Sequence, residues 1–177
     1  MYGHDDYLKY VNAYKTKVRN QQPIIPPHGI NATPPQDMYF KGALFLHTLR
    51  SIVNNDQQWW AMLRDFYQRF KYQTIMTEDI VAWFNQRTHR NLTAVFDQYL
   101  RHTAIPTLEL KFDDAAGTVS YRWKADEPNF AMPVRVGSKE NWQIIQPTTQ
   151  WQTMKTTLKK DEFAVATDLY FVEVSKT

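Results

Sequence analysis

"AIPTLEL", residues 104–110, is where the pattern of the chain changes. Up to Ala104, apolar residues recur every three or four positions, as on one face of a helix. From Thr107, Leu108, Leu110 and Phe112 alternate with Thr107, Glu109 and Lys111, the two-residue period of a half-buried strand. Pro106 stands between the two regimes, where its ring and missing N–H stop a helix. A division into a helical part, residues 1–105, and a β part, residues 106–177, follows from this one stretch.

Downstream, "DDAAG" (113–117) has the composition of a hairpin turn, and the Asp113–Asp114 pair is best read as turn chemistry. Val119, Tyr121 and Trp123 then alternate. Shorter strand candidates lie at 133–136, 141–146, 151–158 and 162–167. The last, "DLYFVEVSK", places Tyr170, Val172 and Val174 on one face. Six or seven short strands in about seventy residues predict a small antiparallel β-sandwich.

Upstream, the spacing predicts a helix over 5–19, with Leu8, Val11 and Val18 on one face, acids at its start and bases at its end. Residues 20–37 hold five of the nine prolines and cannot be helical. Ile24, Ile25 and Ile30 within them predict an ordered loop laid over a surface. Four helices follow. The first, 38–53, carries Leu46, Leu49 and Val53 on one side, with Phe45 and Ile52 beside them. The second, 56–71, opens on Asp56 as N-cap, and Trp59, Trp60, Leu63, Phe66, Tyr67 and Phe70 follow; the two tryptophans, at helical spacing with other aromatics, are read as core. The third, 77–88, opens on a Thr77 cap with two acids, and the fourth spans 93–102. The fold class predicted is α+β, with neighbouring helices packed through short loops and a sandwich after them.

Composition narrows the function. The 26 aromatics (10 Phe, 10 Tyr, 6 Trp) supply a core. Cysteine is absent, which excludes disulfides, thiolate metal sites and cysteine nucleophiles and leaves the compartment open. The net charge of +3 is spread thinly: 12 Lys/Arg stand against 8 Asp/Glu in residues 1–105, and 9 against 10 in 106–177. No basic cluster argues for nucleic acid. No run of apolar residues is long enough to span a bilayer. The five histidines, His4, His28, His47, His89 and His102, include no pair four residues apart, so the helical His-x-x-x-His zinc pair is absent. Phosphate loops and G-x-S-x-G elbows are absent too.

One stretch is not explained by periodicity: "DMYFKGALFLHTLR", residues 37–50, where a tyrosine, a lysine and a glycine precede the apolar face. Tyr39 is either packing material or a hydroxyl presented to something, since a phenol can donate a hydrogen bond to an oxyanion. Gly42 one turn into a helix costs about 1 kcal/mol relative to alanine, which points to close approach of another group to the backbone.

Tyr39-Phe40-Lys41-Gly42-Ala43 resembles the Tyr-x-Lys-Gly motif that opens a helix in zinc aminopeptidases of the aminopeptidase N type (peptidase family M-one, gluzincins, which include the leukotriene hydrolases). The Thr77-Glu78-Asp79 helix start, the aromatic segment ending "FDQYL" (96–100) and Pro106 before a β domain extend the likeness over residues 1–112. The β region matches by position and pattern only. The resemblance implies that Tyr39 hydrogen-bonds the oxyanion formed when metal-activated water attacks the scissile carbonyl of a peptide substrate. It implies Zn2+ in the full-length parent, held by a His-Glu-x-x-His helix and a further glutamate. Neither these nor the Gly-x-Met-Glu-Asn clamp for the substrate amine occur in this chain. The expectation is therefore a C-terminal portion of a gluzincin catalytic domain plus the following sandwich. It would be inactive alone, hold no metal or cofactor itself, and have the missing N-terminal catalytic half as its partner. The alternative is a non-catalytic interaction or scaffold module of the same fold.

Overall fold

A computed structural model describes residues 3–27 and 29–177. Its helices are α1 (His4–Asn12), α2 (Asp37–Val53), α3 (Asp56–Phe70), α4 (Thr77–Thr88) and α5 (Thr93–Arg101). Seven strands follow: β1 (Thr107–Asp113), β2 (Thr118–Lys124), β3 (Val134–Gly137), β4 (Trp142–Ile145), β5 (Gln152–Lys155), β6 (Ala164–Val165) and β7 (Glu173–Lys176). The α+β architecture, helices first and a sandwich second, agrees with the change of period at 104–110.

The first helix is shorter than its pattern. After Asn12 the chain tightens into a 3-10 turn, Ala13–Lys17. The proline-rich loop is ordered along part of its length: Ile24 and Ile25 are half-buried, and the Ile25 N–H donates to the Leu100 carbonyl of α5 at 2.9 Å. Ile30 is exposed. Two caps move by one residue. Asn55, not Asp56, caps α3, its side-chain oxygen accepting from Gln58 N–H at 2.9 Å, while Asp56 pairs with Arg50. Met76 occupies the N-cap of α4, and Asp79 reaches back to its N–H at 2.9 Å, so Thr77 is already helical.

The β part forms a four-stranded sheet, β5-β2-β1-β7, and a three-stranded sheet, β4-β3-β6. β1 and β2 pair antiparallel, Leu108 opposite Trp123 and Leu110 opposite Tyr121, which puts one apolar row inward. Val134 and Val136 answer it from the second sheet, with Phe130 and Phe163 filling between; all four are fully buried. Asp113 accepts from Ala116 N–H at 2.9 Å in the β1–β2 turn, the role its position predicted. The sandwich departs from a purely antiparallel plan at its end. β7 runs parallel to β1: β3, β4 and β6 of the second sheet and β5 of the first intervene, and a long crossover permits parallel entry.

Hydrogen bonds tie the returning chain to the helices. The fully buried Tyr99 hydroxyl donates to the Phe171 carbonyl at 2.6 Å, and Phe171 N–H donates to the Thr48 hydroxyl at 2.9 Å. The buried Gln98 amide accepts from the N–H groups of Asp126 and Glu127 at 2.8 and 2.9 Å and donates to Ala104 at 2.9 Å. One hydrophobic cluster runs from Val11 through the helices to Val172.

Candidate functional site

The loop before α2 ends at Pro34-Pro35, which cannot continue a helix from the N-terminal side but can start one. Met38 N–H donates to Pro35 and Tyr39 N–H to Gln36, both at 3.0 Å, so the first turn winds directly out of the prolines. Four consecutive residues then diverge. Tyr39 is 65% exposed, and its hydroxyl has no hydrogen-bond partner among the described residues. Phe40 lies against Tyr14, ring centroids 5.4 Å apart, with the Lys17 ammonium 5.3 Å from its ring. Lys41 is buried, its ammonium donating to the His102 carbonyl at 2.8 Å and the Thr103 carbonyl at 3.3 Å, just past the end of α5. A Cβ built on Gly42 would meet nothing within 4 Å. The close approach expected at Gly42 is thus absent among the described residues, and its side of α2 is open.

Tyr39, Gly42 and Leu46 share that open side, at i, i+3 and i+7. Leu46 is 48% exposed, not part of the core stripe with Leu49 and Val53 as its spacing predicted. The buried residues of α2 are Asp37, Lys41, Leu44, Phe45, His47, Thr48, Leu49, Ser51 and Ile52. Five of them, Asp37, Lys41, His47, Thr48 and Ser51, are polar, so a reading by hydropathy rotates the helix toward Leu46.

Asp37 completes the first turn. Its carboxylate, buried, accepts from Arg19 N–H at 2.9 Å and Asn20 N–H at 2.6 Å. Burial pushes the Lys41 ammonium down from 10.5 to about 8, against the attraction of the Asp37 and Asp126 carboxylates.

The histidines are scattered. His4 and His89 are exposed, and His89 is the left-handed C-cap of α4. His28 lies outside the described residues. His102 meets Glu127 at 2.7 Å, across the joint between α5 and the sandwich. His47 is buried on α2 with both ring nitrogens engaged: Nε2 donates to the Asp168 carbonyl at 2.9 Å, which leaves Nδ1 to accept from the Tyr7 hydroxyl at 3.0 Å. Among the described residues no three His, Cys, Asp or Glu side chains could together hold a metal ion. The donor set of the described residues therefore does not fit a zinc centre of its own. Two clefts lie elsewhere on the described residues. One of about 450 Å³ at the helix–sandwich joint is lined by Asn20, Thr103, Lys124, Asp126 and Glu173, among others, and one of about 760 Å³ by turns of the sandwich including Gly137, Asn141 and Thr156. In the first, the Thr107 hydroxyl donates to the Glu173 carboxylate at 3.3 Å. No helix among the described residues is long and apolar enough to cross a membrane.

His47 makes a test of its own. Burial is the largest influence on its ring and lowers its pKa; Arg50 and Lys15 lower it further, while the Asp168 bond opposes them. A folded-state pKa below the unfolded value means that the unfolded chain takes up the proton first as pH falls. Stability from this group is present above about pH 6.5 and is lost as pH drops toward the folded value. Urea unfolding at pH 7.5 and 5.0 should show that loss, and His47→Gln should reduce it. An equal loss in both proteins would remove His47 as its source.

No family model matches this sequence, and no curated protein sequence matches it. Among solved structures, Legionella pneumophila aminopeptidase A, in complex with aspartic acid, superposes with a TM-score of 0.59 at 9% identity, over 89% of this chain and 20% of that one. The fold is aminopeptidase-like. The chain spans about a fifth of that protein's length, and at this identity the likeness is one of fold.

Sequence reasoning singled out Tyr39, and the structure places it at the start of α2 facing outward. Asp37, Lys41 and His47 were missed as structural groups. The available signal was a charged or polar residue on the buried stripe of a helix, visible only once that stripe is known.

Proposed function

We propose that this chain is a C-terminal segment of a zinc-dependent aminopeptidase, in which the Tyr39 phenol donates a hydrogen bond to the oxyanion formed during peptide hydrolysis. The observation that carries the reading is an exposed phenol, without a hydrogen-bond partner among the described residues, on the first turn of a helix whose Asp37 and Lys41 side chains, two residues to either side of it, are buried. A donor of this kind does little for a ground-state carbonyl and more for a developing negative charge. The aminopeptidase-like fold supports the reading. Zinc, the general base and the clamp for the substrate amine would lie on a part of the protein outside these residues. The open side of α2, with Tyr39, Gly42 and Leu46, would face that part. The division at residue 105 would separate the catalytic portion from a following β domain.

The purified chain, supplied with zinc and an aminoacyl anilide, should release no product. Zinc-dependent turnover by these residues alone would overturn the reading. In the parent reading frame, a His-Glu-x-x-His followed by a further glutamate is expected upstream. A parent without it would instead be a scaffold of the same fold.

A further inference from the structure

We propose that Asp37 and Lys41 are positioning residues for Tyr39, a pair of buried charges that lock the first turn of α2 from behind. Its consequence for catalysis rests on the reading of Tyr39 above; the clamp itself does not.

Among the described residues, Asp37 and Lys41 are the only Asp, Glu, Lys or Arg side chains that are fully buried, at 2% and 1% exposure. Burying a charge is unfavourable unless hydrogen bonds replace its water. Here both are buried within one turn, two residues before and two after Tyr39. At about 100° per residue, positions two away lie about 160° round the helix. Both side chains therefore leave the helix on the side opposite the phenol.

Their partners are backbone atoms from distant parts of the chain. Asp37 holds the N–H groups of Arg19 and Asn20, 18 and 17 residues upstream. Lys41 holds the carbonyls of His102 and Thr103, 61 and 62 residues downstream. Donors and acceptors match: a carboxylate takes two N–H groups, an ammonium gives to two carbonyls. The turn is thus pinned between the end of the N-terminal helical segment and the end of α5. Apolar side chains would fill the same space without desolvating a charge, but contact between them is non-directional, whereas a hydrogen bond sets distance and angle. Tyr39 does not hold itself, being largely exposed and without a hydrogen-bond partner among the described residues. Its placement is inherited from the turn. An oxyanion donor must sit within about 0.5 Å of its productive position, which makes a rigid turn a requirement of the role.

The test is 15N relaxation on the 177-residue chain. In the unaltered protein the Tyr39 amide should be as ordered as that of Leu49 in the middle of α2, with an order parameter of about 0.85. In Lys41→Met and Asp37→Asn it should fall below about 0.6 while Leu49 stays rigid. A mobile Tyr39 in the unaltered chain overturns the proposal even if both variants fail to fold. So does a Tyr39 that stays rigid in the folded variants, or a loosening shared equally with Leu49, which would mark general support of the fold. These readings stand whether or not Tyr39 is catalytic. In the full-length protein, Lys41→Met should lower kcat about 10- to 100-fold with KM little changed, and should add little to Tyr39→Phe. Full additivity of the two would mean that Lys41 does not act through Tyr39.

Discussion

Tyr39→Phe in the full-length protein is expected to lower kcat by about 100- to 1000-fold with little change in KM, the range found when one oxyanion donor is removed. The substitution deletes a single hydroxyl and keeps the ring. That hydroxyl bonds no described residue and the side chain is largely in solvent, so the folded state has little to lose. A surface change of this kind shifts stability by about 0.5 kcal/mol or less. The isolated chain gives the control: its urea midpoint should be unchanged by Tyr39→Phe. A loss of kcat can then be assigned to the reaction and not to folding. The separation of kcat from KM carries equal weight. A phenol that bound substrate and transition state alike would raise KM on removal and leave kcat alone. Unaltered kcat would remove Tyr39 from the mechanism.

The parts of the fold legible in the sequence are those set by local period. The switch at 104–110, the five helices and the seven strands all leave a mark within a few residues. What was hidden depends on distant partners. The direction of β7 beside β1 is decided by a crossover of some sixty residues, and no local pattern records it. The buried face of α2 was misjudged at Leu46 because Lys41 and Thr48 belong to the core side. Lys41 does so through carbonyls beyond α5, and Thr48 by accepting from Phe171 at the far end of the chain. The candidate site was legible in a different way. Nothing in hydropathy distinguishes Tyr39 from a packing tyrosine; it stood out through its likeness to a family motif. Its exposure and the two charges behind it came from the three-dimensional arrangement.

The adjacent tryptophans of α3 should differ sharply, although their spacing suggested a shared role in the core. Trp59 is 4% exposed and packs toward Phe84, ring centroids 6.2 Å apart. Trp60 is 49% exposed, and its ring lies 5.5 Å from the Arg50 guanidinium, which is itself paired with Asp56. Trp59→Ala empties a large volume in a packed interior and should destabilise the chain by about 3–5 kcal/mol. Trp60→Ala removes a half-solvated ring and one cation–π contact, and should cost about 1 kcal/mol or less. The two sites lie on the same helix, so the gain in helix propensity from tryptophan to alanine is similar at both and drops out of the difference. Equilibrium urea unfolding of both variants checks this, provided the slope with denaturant is unchanged. With total stabilities of about 5–15 kcal/mol for native proteins, the Trp59 change alone threatens the folded state at 37 °C. Equal losses at the two positions would mean that Trp60 is covered in solution, as it would be if the outer side of α3 packed against another surface. A small loss at Trp59 would contradict the packing of α3 against α4.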